Sequence, residues 1–241
     1  MRDMRLPVRN ESERVLFALA ARAEAKDSYS TTHPKRVANT AVHIGRRLGL
    51  RDSDLGALYR GGLTHDIGKI FVSDAVLRKP GSLNAEEERQ MREHPAIGER
   101  IFKYLRSAAD ILPIIRHHHE RFDGGGYPDG LSGHKIPLLA RIVAVSDAHD
   151  ALSSDRPYRA RRDQTEVIET LLRGAGQQWD RDLISIFLAE LPALRFELAD
   201  LPEVSRTPAR WGPPGKGWPG SGVMPPHAWT EGASAGLATR R

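Results

Sequence analysis

Residues 52–69 read Asp-Ser-Asp-Leu-Gly-Ala-Leu-Tyr-Arg-Gly-Gly-Leu-Thr-His-Asp-Ile-Gly-Lys. Leu55, Leu58, Tyr59 and Leu63 return at helical spacing, and Asp52 can cap the start of the helix. The helix ends by delivering the adjacent pair His65–Asp66. Successive helical positions differ by about 100°, so both side chains reach one centre only where the pair turns inward at a terminus. A helix that carries metal-binding residue types to its end predicts an all-α fold arranged around a metal pocket.

Working outward, residues of the same chemistry recur at a nearly even beat: His33, His65–Asp66, His94, His118–His119 and Asp147. The gaps are 32, 29, 24 and 28 residues, each about one helix plus its connection. Five imidazoles and two carboxylates exceed the needs of one tetrahedral metal, whereas two cations bridged by Asp66 use them all. One cation would take His33, His65, Asp66 and Asp147; the other would take Asp66, His94, His118 and His119. Lys69, one turn beyond Asp66, is expected to meet a bound phosphate rather than a metal. This donor set suits phosphate ester hydrolysis. Paired cations about 3.5 to 4 Å apart acidify a bridging water, orient the hydroxide in line with phosphorus and stabilise the leaving oxygen. Outside the set, His43, His117, His134, His149 and His227 read as surface or satisfied core groups.

The other segments are helical too. Val15, Leu16, Leu19, Ala20 and Ala23 form a stripe within 11–26, and Val37, Ala41, Ile44 and Leu48 form another before Gly49. Asn84 with Glu87 reads as a capping box ahead of an acidic first turn. Ile97, Ile101 and Leu105 continue the rhythm after His94–Pro95, and Ile111, Leu112, Ile114 and Ile115 fill a short helix before the double histidine. Residues 123–133 hold five glycines and a proline, which favour turns. Pro137 suits a first helical turn, and Ile142, Val145 and Leu152 then share a buried side with Asp147. Two last helices carry Val167, Ile168, Leu171 and Leu172, and Leu183, Ile184, Phe187 and Leu188. No stretch alternates long enough to be a strand.

At 241 residues the chain predicts one core: a catalytic domain over 11–190, an extension over 191–205 and a tail over 206–241. The tail has 13 Gly or Pro in 36 positions and three of the four tryptophans, so it reads as disordered. It also carries five basic residues against Glu231, which accounts for +4 of the net charge of +5. The folded part is therefore nearly neutral, which argues against a polymeric nucleic acid as partner. No apolar run reaches the roughly 18 residues of a membrane span, and no secretory signal is present, so the expected location is the cytoplasm. Without cysteine, any metal must be held by nitrogen and oxygen alone.

The motifs, taken in order, resemble the HD-GYP family of the HD superfamily of metal phosphohydrolases. The matching strings are Asp27-Ser28-Tyr29 with His33-Pro34-Lys35-Arg36-Val37, His65-Asp66-Ile67-Gly68-Lys69, Lys79-Pro80-Gly81, and His94 with Gly98. They continue through His118-His119-Glu120-Arg121-Phe122-Asp123-Gly124-Gly125-Gly126-Tyr127-Pro128, Asp147, Asp150-Ala151-Leu152 and Arg156-Pro157-Tyr158-Arg159. The resemblance covers about residues 11 to 190. It implies a helical bundle that hydrolyses cyclic di-GMP to pGpG and often on to GMP, with a centre of iron or manganese. It makes the seven residues above the ligands, places Lys69 on phosphate and Tyr127 by the substrate, and puts Arg156 and Arg159 on phosphates or guanines, roles that suit arginine's planar fork.

Departures are informative. Three-metal members carry a glutamate where Tyr29 stands, so two metals are expected here. Phe71 and Ser73 replace small residues and proline, and His134 stands where glutamate is common. No receiver domain is expected ahead of the first helix, so regulation would come from another chain, the tail or the metal's redox state. Two alternatives stay open: an HD phosphohydrolase acting on another nucleotide, and a non-catalytic cyclic-dinucleotide sensor or docking module that binds a protein through the tail or the Gly-Tyr-Pro loop. A silent module usually lacks a ligand, and none is missing. The oligomeric state is left open.

Overall fold

The computed structural model describes residues 15, 17–20, 32–154 and 162–199, with side chains to 194. Among them there is no strand, only an isolated bridge between Ala175 and Trp179, and the architecture is all-α.

Helix α1 spans His33–Arg47, with Pro34 in its first turn and Arg46 and Arg47 opposing the dipole at its end. Gly49 follows at φ +70, a left-handed stop that glycine tolerates best. Helix α2 spans Asp52–Thr64. Its N-cap is Arg51, and no side chain caps it. Asp52 is thus one position further in than expected and serves, with Asp54, as a first-turn anion facing the dipole. The two helices meet backbone to backbone: a Cβ on Gly62 would lie 2.7 Å from Ala38 Cα.

A 3-10 helix, Ile67–Phe71, and a short α3, Asp74–Leu77, lead to α4, Ala85–Arg92. The expected capping box opens α4, with Glu87 N on Asn84 Oδ1 at 2.9 Å and Asn84 N on Glu87 Oε2 at 2.8 Å. Helix α5, His94–Phe102, buries His94, Pro95, Gly98 and Phe102. Ile97 and Ile101 are only half-buried and Leu105 lies past the helix end. The i, i+4 row through His94 is the one that faces inward. Helix α6, Leu112–His117, and a turn-rich loop then lead to α7, Leu138–Ser153.

Helix α7 is the central post, with ten of its residues buried, Ile142, Val143, Val145 and Asp147 among them. It packs against α1, α2 and α6, and against α8, Gln164–Gly174, and α9, Arg181–Ala199. A helix buried on most sides reads as nearly apolar all round, which is why a buried carboxylate on it calls for a specific partner. Among the described residues no helix is long and apolar enough to cross a membrane.

Candidate metal centre

Most of the seven expected ligands sit at element ends. His33 opens α1, His65 is the C-cap of α2, Asp66 is the N-cap of the 3-10 helix, His94 opens α5, and His118 is the C-cap of α6 with His119 next. Asp147 projects from within α7. The structure brings all seven into one pocket. His94 Nε2 lies 3.0 Å and His118 Nε2 3.6 Å from Asp66 Oδ1, while His65 Nε2 lies 3.3 Å from Asp66 Oδ2. Asp147 Oδ1 is 3.5 Å from His33 Nε2 and 4.0 Å from His65 Nε2. The rings of His118 and His119 are 4.2 Å apart between centroids.

The hydrogen bonds behind these rings identify what the pocket wants. Nδ1 of His65, His94 and His118 lies 2.9, 2.7 and 2.8 Å from the carbonyl oxygens of Gly62, Met91 and Ile115. A carbonyl only accepts, so Nδ1 carries a proton, and in the neutral ring Nε2 presents a lone pair. Those lone pairs point at carboxylate oxygens and at one another: His94 Nε2 and His118 Nε2 are 3.3 Å apart. Asp66 Oδ1, buried among them, receives no hydrogen bond. Lone pair against lone pair in a dry pocket is repulsive until a cation stands between them, so the residues present fit a metal. The donors fall into two groups that share Asp66: His33 with His65, and His94 with His118 and His119. Within each group the ligand atoms lie within 4.8 Å of one another.

Charge states agree with this. Burial pushes His118 down to about 4 and also lowers His119, which His118 and His94 then lower further. These two imidazoles therefore stay neutral, as metal binding requires. Burial acts to raise the Asp66 carboxyl, but the adjacent Lys69 ammonium leads the interactions that hold it well below the usual carboxylate range.

Lys69 lies beside the pocket, one turn from Asp66. Its Nζ donates to Asp66 Oδ2 at 2.7 Å, because side chains three apart on a 3-10 helix eclipse one another. Asp150, for which the sequence suggested no role, accepts from His33 Nδ1 at 2.6 Å and from Arg36 Nη2 at 2.9 Å. The sequence signal was spacing: His33 and Arg36 are three apart on α1, and Asp147 and Asp150 are three apart on α7.

The glycine loop lies against this pocket. Tyr127 N donates to His119 O at 3.2 Å, and its ring stacks on His119 at 4.9 Å and 27°. Burial raises the Tyr127 phenol, which stays protonated. A Cβ on Gly126 would lie 2.3 Å from Arg121 N, so the close approach requires glycine there. Glu120, a buried residue that sequence reasoning also passed over, accepts Asp129 N at 2.8 Å and Leu131 N at 3.1 Å and so anchors the loop. His117, Glu120 and Asp129 form a third acidic group, but these bonds and the Arg116–Asp129 pair at 2.7 Å already use its oxygens.

Phe71 is 70% exposed, Ser73 caps α3, and His134 Nδ1 accepts from Arg141 Nη1 at 3.1 Å. His43 meets Glu190 Oε2 at 3.1 Å and His149 packs on Phe187, as bystander histidines would. Tyr29, Arg156, Arg159, His227 and the residues from 200 onward lie outside the described residues.

A family model described as HD domain matches residues 18–183. The chain is 35% identical over 193 residues to a 3'3'-cGAMP-specific phosphodiesterase of Vibrio cholerae, covering 80% of this chain and 42% of that protein. It is 36% identical over 184 residues to a cyclic di-GMP phosphodiesterase response regulator of Xanthomonas campestris, covering 74% and 48%. The chain thus spans less than half the length of these curated relatives. Among solved structures, a cyclic GMP-AMP specific phosphodiesterase of Vibrio cholerae superposes with a TM-score of 0.57 at 19% identity, covering 76% of this chain and 50% of that one. An HD-GYP-type protein of Bdellovibrio bacteriovorus gives 0.54 at 21%, covering 75% and 60%; both show the helical fold. Together with the pocket and its adjoining Gly-Tyr-Pro loop, these matches place the chain: it belongs to the HD domain family, in its HD-GYP branch.

Proposed function

We propose that the protein is a metal-dependent phosphodiesterase that hydrolyses cyclic di-GMP to pGpG, with continuation to GMP at the same centre. The observation that carries this reading is the convergence of imidazole Nε2 atoms on the Asp66 carboxylate, with the rings of His65, His94 and His118 each fixed from behind through Nδ1. His33, His65, Asp66 and Asp147 would hold one divalent ion and Asp66, His94, His118 and His119 a second, with iron or manganese suiting the nitrogen and oxygen donors. Bound there, such ions would acidify water and offset the charge of a phosphodiester.

The chain's own residues do the rest. Lys69 is held within 2.7 Å of Asp66 and can turn to a phosphate once cations balance that carboxylate. Tyr127 supplies a neutral hydroxyl and an aromatic wall beside His119. Arg156 and Arg159 are assigned to substrate phosphates or bases. Relatives named for cyclic di-GMP support the substrate. Relatives named for 3'3'-cGAMP favour that dinucleotide as a second reading at the same site.

The test is anaerobic purification, metal counting and parallel assays on cyclic di-GMP, 3'3'-cGAMP and pGpG. Two metals per chain with cleavage of cyclic di-GMP is the expected outcome. Cleavage of 3'3'-cGAMP alone would move the assignment to the second reading, and a loaded protein inert on both would end it.

A further inference from the structure

A cyclic dinucleotide carries two phosphodiesters on one ring; the proposed ligands and Lys69 account for one, and Arg156 and Arg159, assigned to phosphates or bases, lie outside the described residues. The structure points to a residue for the second. Arg92 closes α4, and its guanidinium lies 5.1 Å from the centroid of the Tyr127 ring. The same ring stacks on His119 and approaches His94 at 6.5 Å, so Arg92 stands beside the pocket mouth, one side chain out from the proposed ligands.

Its electrostatic situation is that of a cation available to a ligand. Among the described residues its ion pair is with Glu88, one helical turn back, where Nε and Nη2 both go to Oε1 at 3.0 and 2.7 Å. Both partners are about half-exposed, at 50% and 46%, and such a pair holds its members weakly. The neighbouring acids of α4 have other partners: Glu86 bonds Arg89, and Glu87 bonds Lys79. Little opposes transfer of Arg92 to a stronger anion, and a guanidinium offers a phosphate two parallel donors where a lysine offers a point charge.

Building on the dinucleotide reading above, we infer that Arg92 is a substrate-binding residue that grips the phosphodiester not being cleaved, with the Tyr127 ring as its support. It thereby favours two-phosphate substrates over simple diesters.

The experiment compares wild type, Arg92→Ala, Arg92→Lys and Glu88→Gln in two arms. In the first, cyclic di-GMP is titrated into metal-free protein by calorimetry. Arg92→Ala is expected to weaken binding about tenfold, Arg92→Lys to restore part of it, and Glu88→Gln to leave it equal or tighter. In the second, metal-loaded enzymes act on cyclic di-GMP and on bis(p-nitrophenyl) phosphate, which has a single phosphate. Arg92→Ala should lose at least tenfold in kcat/KM on the dinucleotide, mainly through KM, and markedly less on the small diester, with metal content unchanged. Unchanged binding in the first arm, or an equal loss on both substrates in the second, overturns the role of Arg92 while leaving the dinucleotide reading intact. A wild type that cleaves the small diester but neither binds nor cleaves the cyclic dinucleotide overturns both together.

Discussion

Asp150 shows how much of this pocket depends on side chains behind the proposed ligands. Its buried carboxylate accepts a hydrogen bond from His33 Nδ1 and also binds Arg36. Burial acts to raise it, yet the bonds from His33 and Arg36 hold it well below the ordinary range. A carboxylate in this position fixes the ring's orientation and makes the far nitrogen a better donor. Replacing Asp150 by Asn keeps the shape and removes the charge. The expected result is a loss of about 10- to 100-fold in affinity for one of the two metals, read by titration with a chelator competitor, with the His94–His118–His119 group still loading. Equal loss at both positions would mean that Asp150 supports the fold and not His33. Tyr127 gives the complementary case: Tyr127→Ala should weaken handling of the cyclic dinucleotide while two metals per chain remain bound, and metal loss in that variant would make the loop structural.

At the scale of elements, the 3-10 helix and α5 are pressed together at Gly68. A Cβ there would lie 1.9 Å from His94 O and 2.8 Å from Gly98 N, both backbone atoms that cannot swing aside. Gly68→Ala should therefore separate the element bearing Asp66 and Lys69 from the helix opened by His94, lowering both Tm and metal occupancy. Gly133→Ala is the control, since its φ is +57 but nothing lies within 4 Å of the added methyl; it should cost about 1 to 2 kcal/mol and leave metal content unchanged. Similar occupancy in the two variants would show that the Gly68 contact does not set the pocket. Glu120→Ala should strand the N–H groups of Asp129 and Leu131, at about 1 to 3 kcal/mol each, and loosen the loop that carries Tyr127. Hydrogen exchange at those two amides checks it.

These elements were largely legible in the sequence, because apolar period and caps are local: Val37 to Ile44, the Asn84–Glu87 box and the glycine loop all stand where their spacing put them. What escaped was set by tertiary contact. Residue order cannot tell that α5 would turn its His94–Gly98–Phe102 row inward, or that Arg92 would reach Tyr127.

For the whole molecule, the consequence is that the pocket is a product of folding and not a local motif. Its seven residues come from α1, the end of α2, the 3-10 helix, α5, the end of α6 and α7, and unfolding scatters them over more than a hundred positions. Ions bound only by the folded state must stabilise it. At a free concentration 100 times its Kd each ion adds about 2.7 kcal/mol, and a domain of this size gains about 2 to 4 °C per kcal/mol. Stripping the metals should thus lower Tm by about 5 to 10 °C for each ion removed, and adding the metal back should restore it. Asp66→Ala deletes the carboxylate that both groups share, so its Tm should not respond to chelator or to added metal, whatever its absolute value. A metal-dependent shift in Asp66→Ala as large as that of the wild type would show that the ions bind elsewhere and that the carboxylate at the centre of the pocket does not join them.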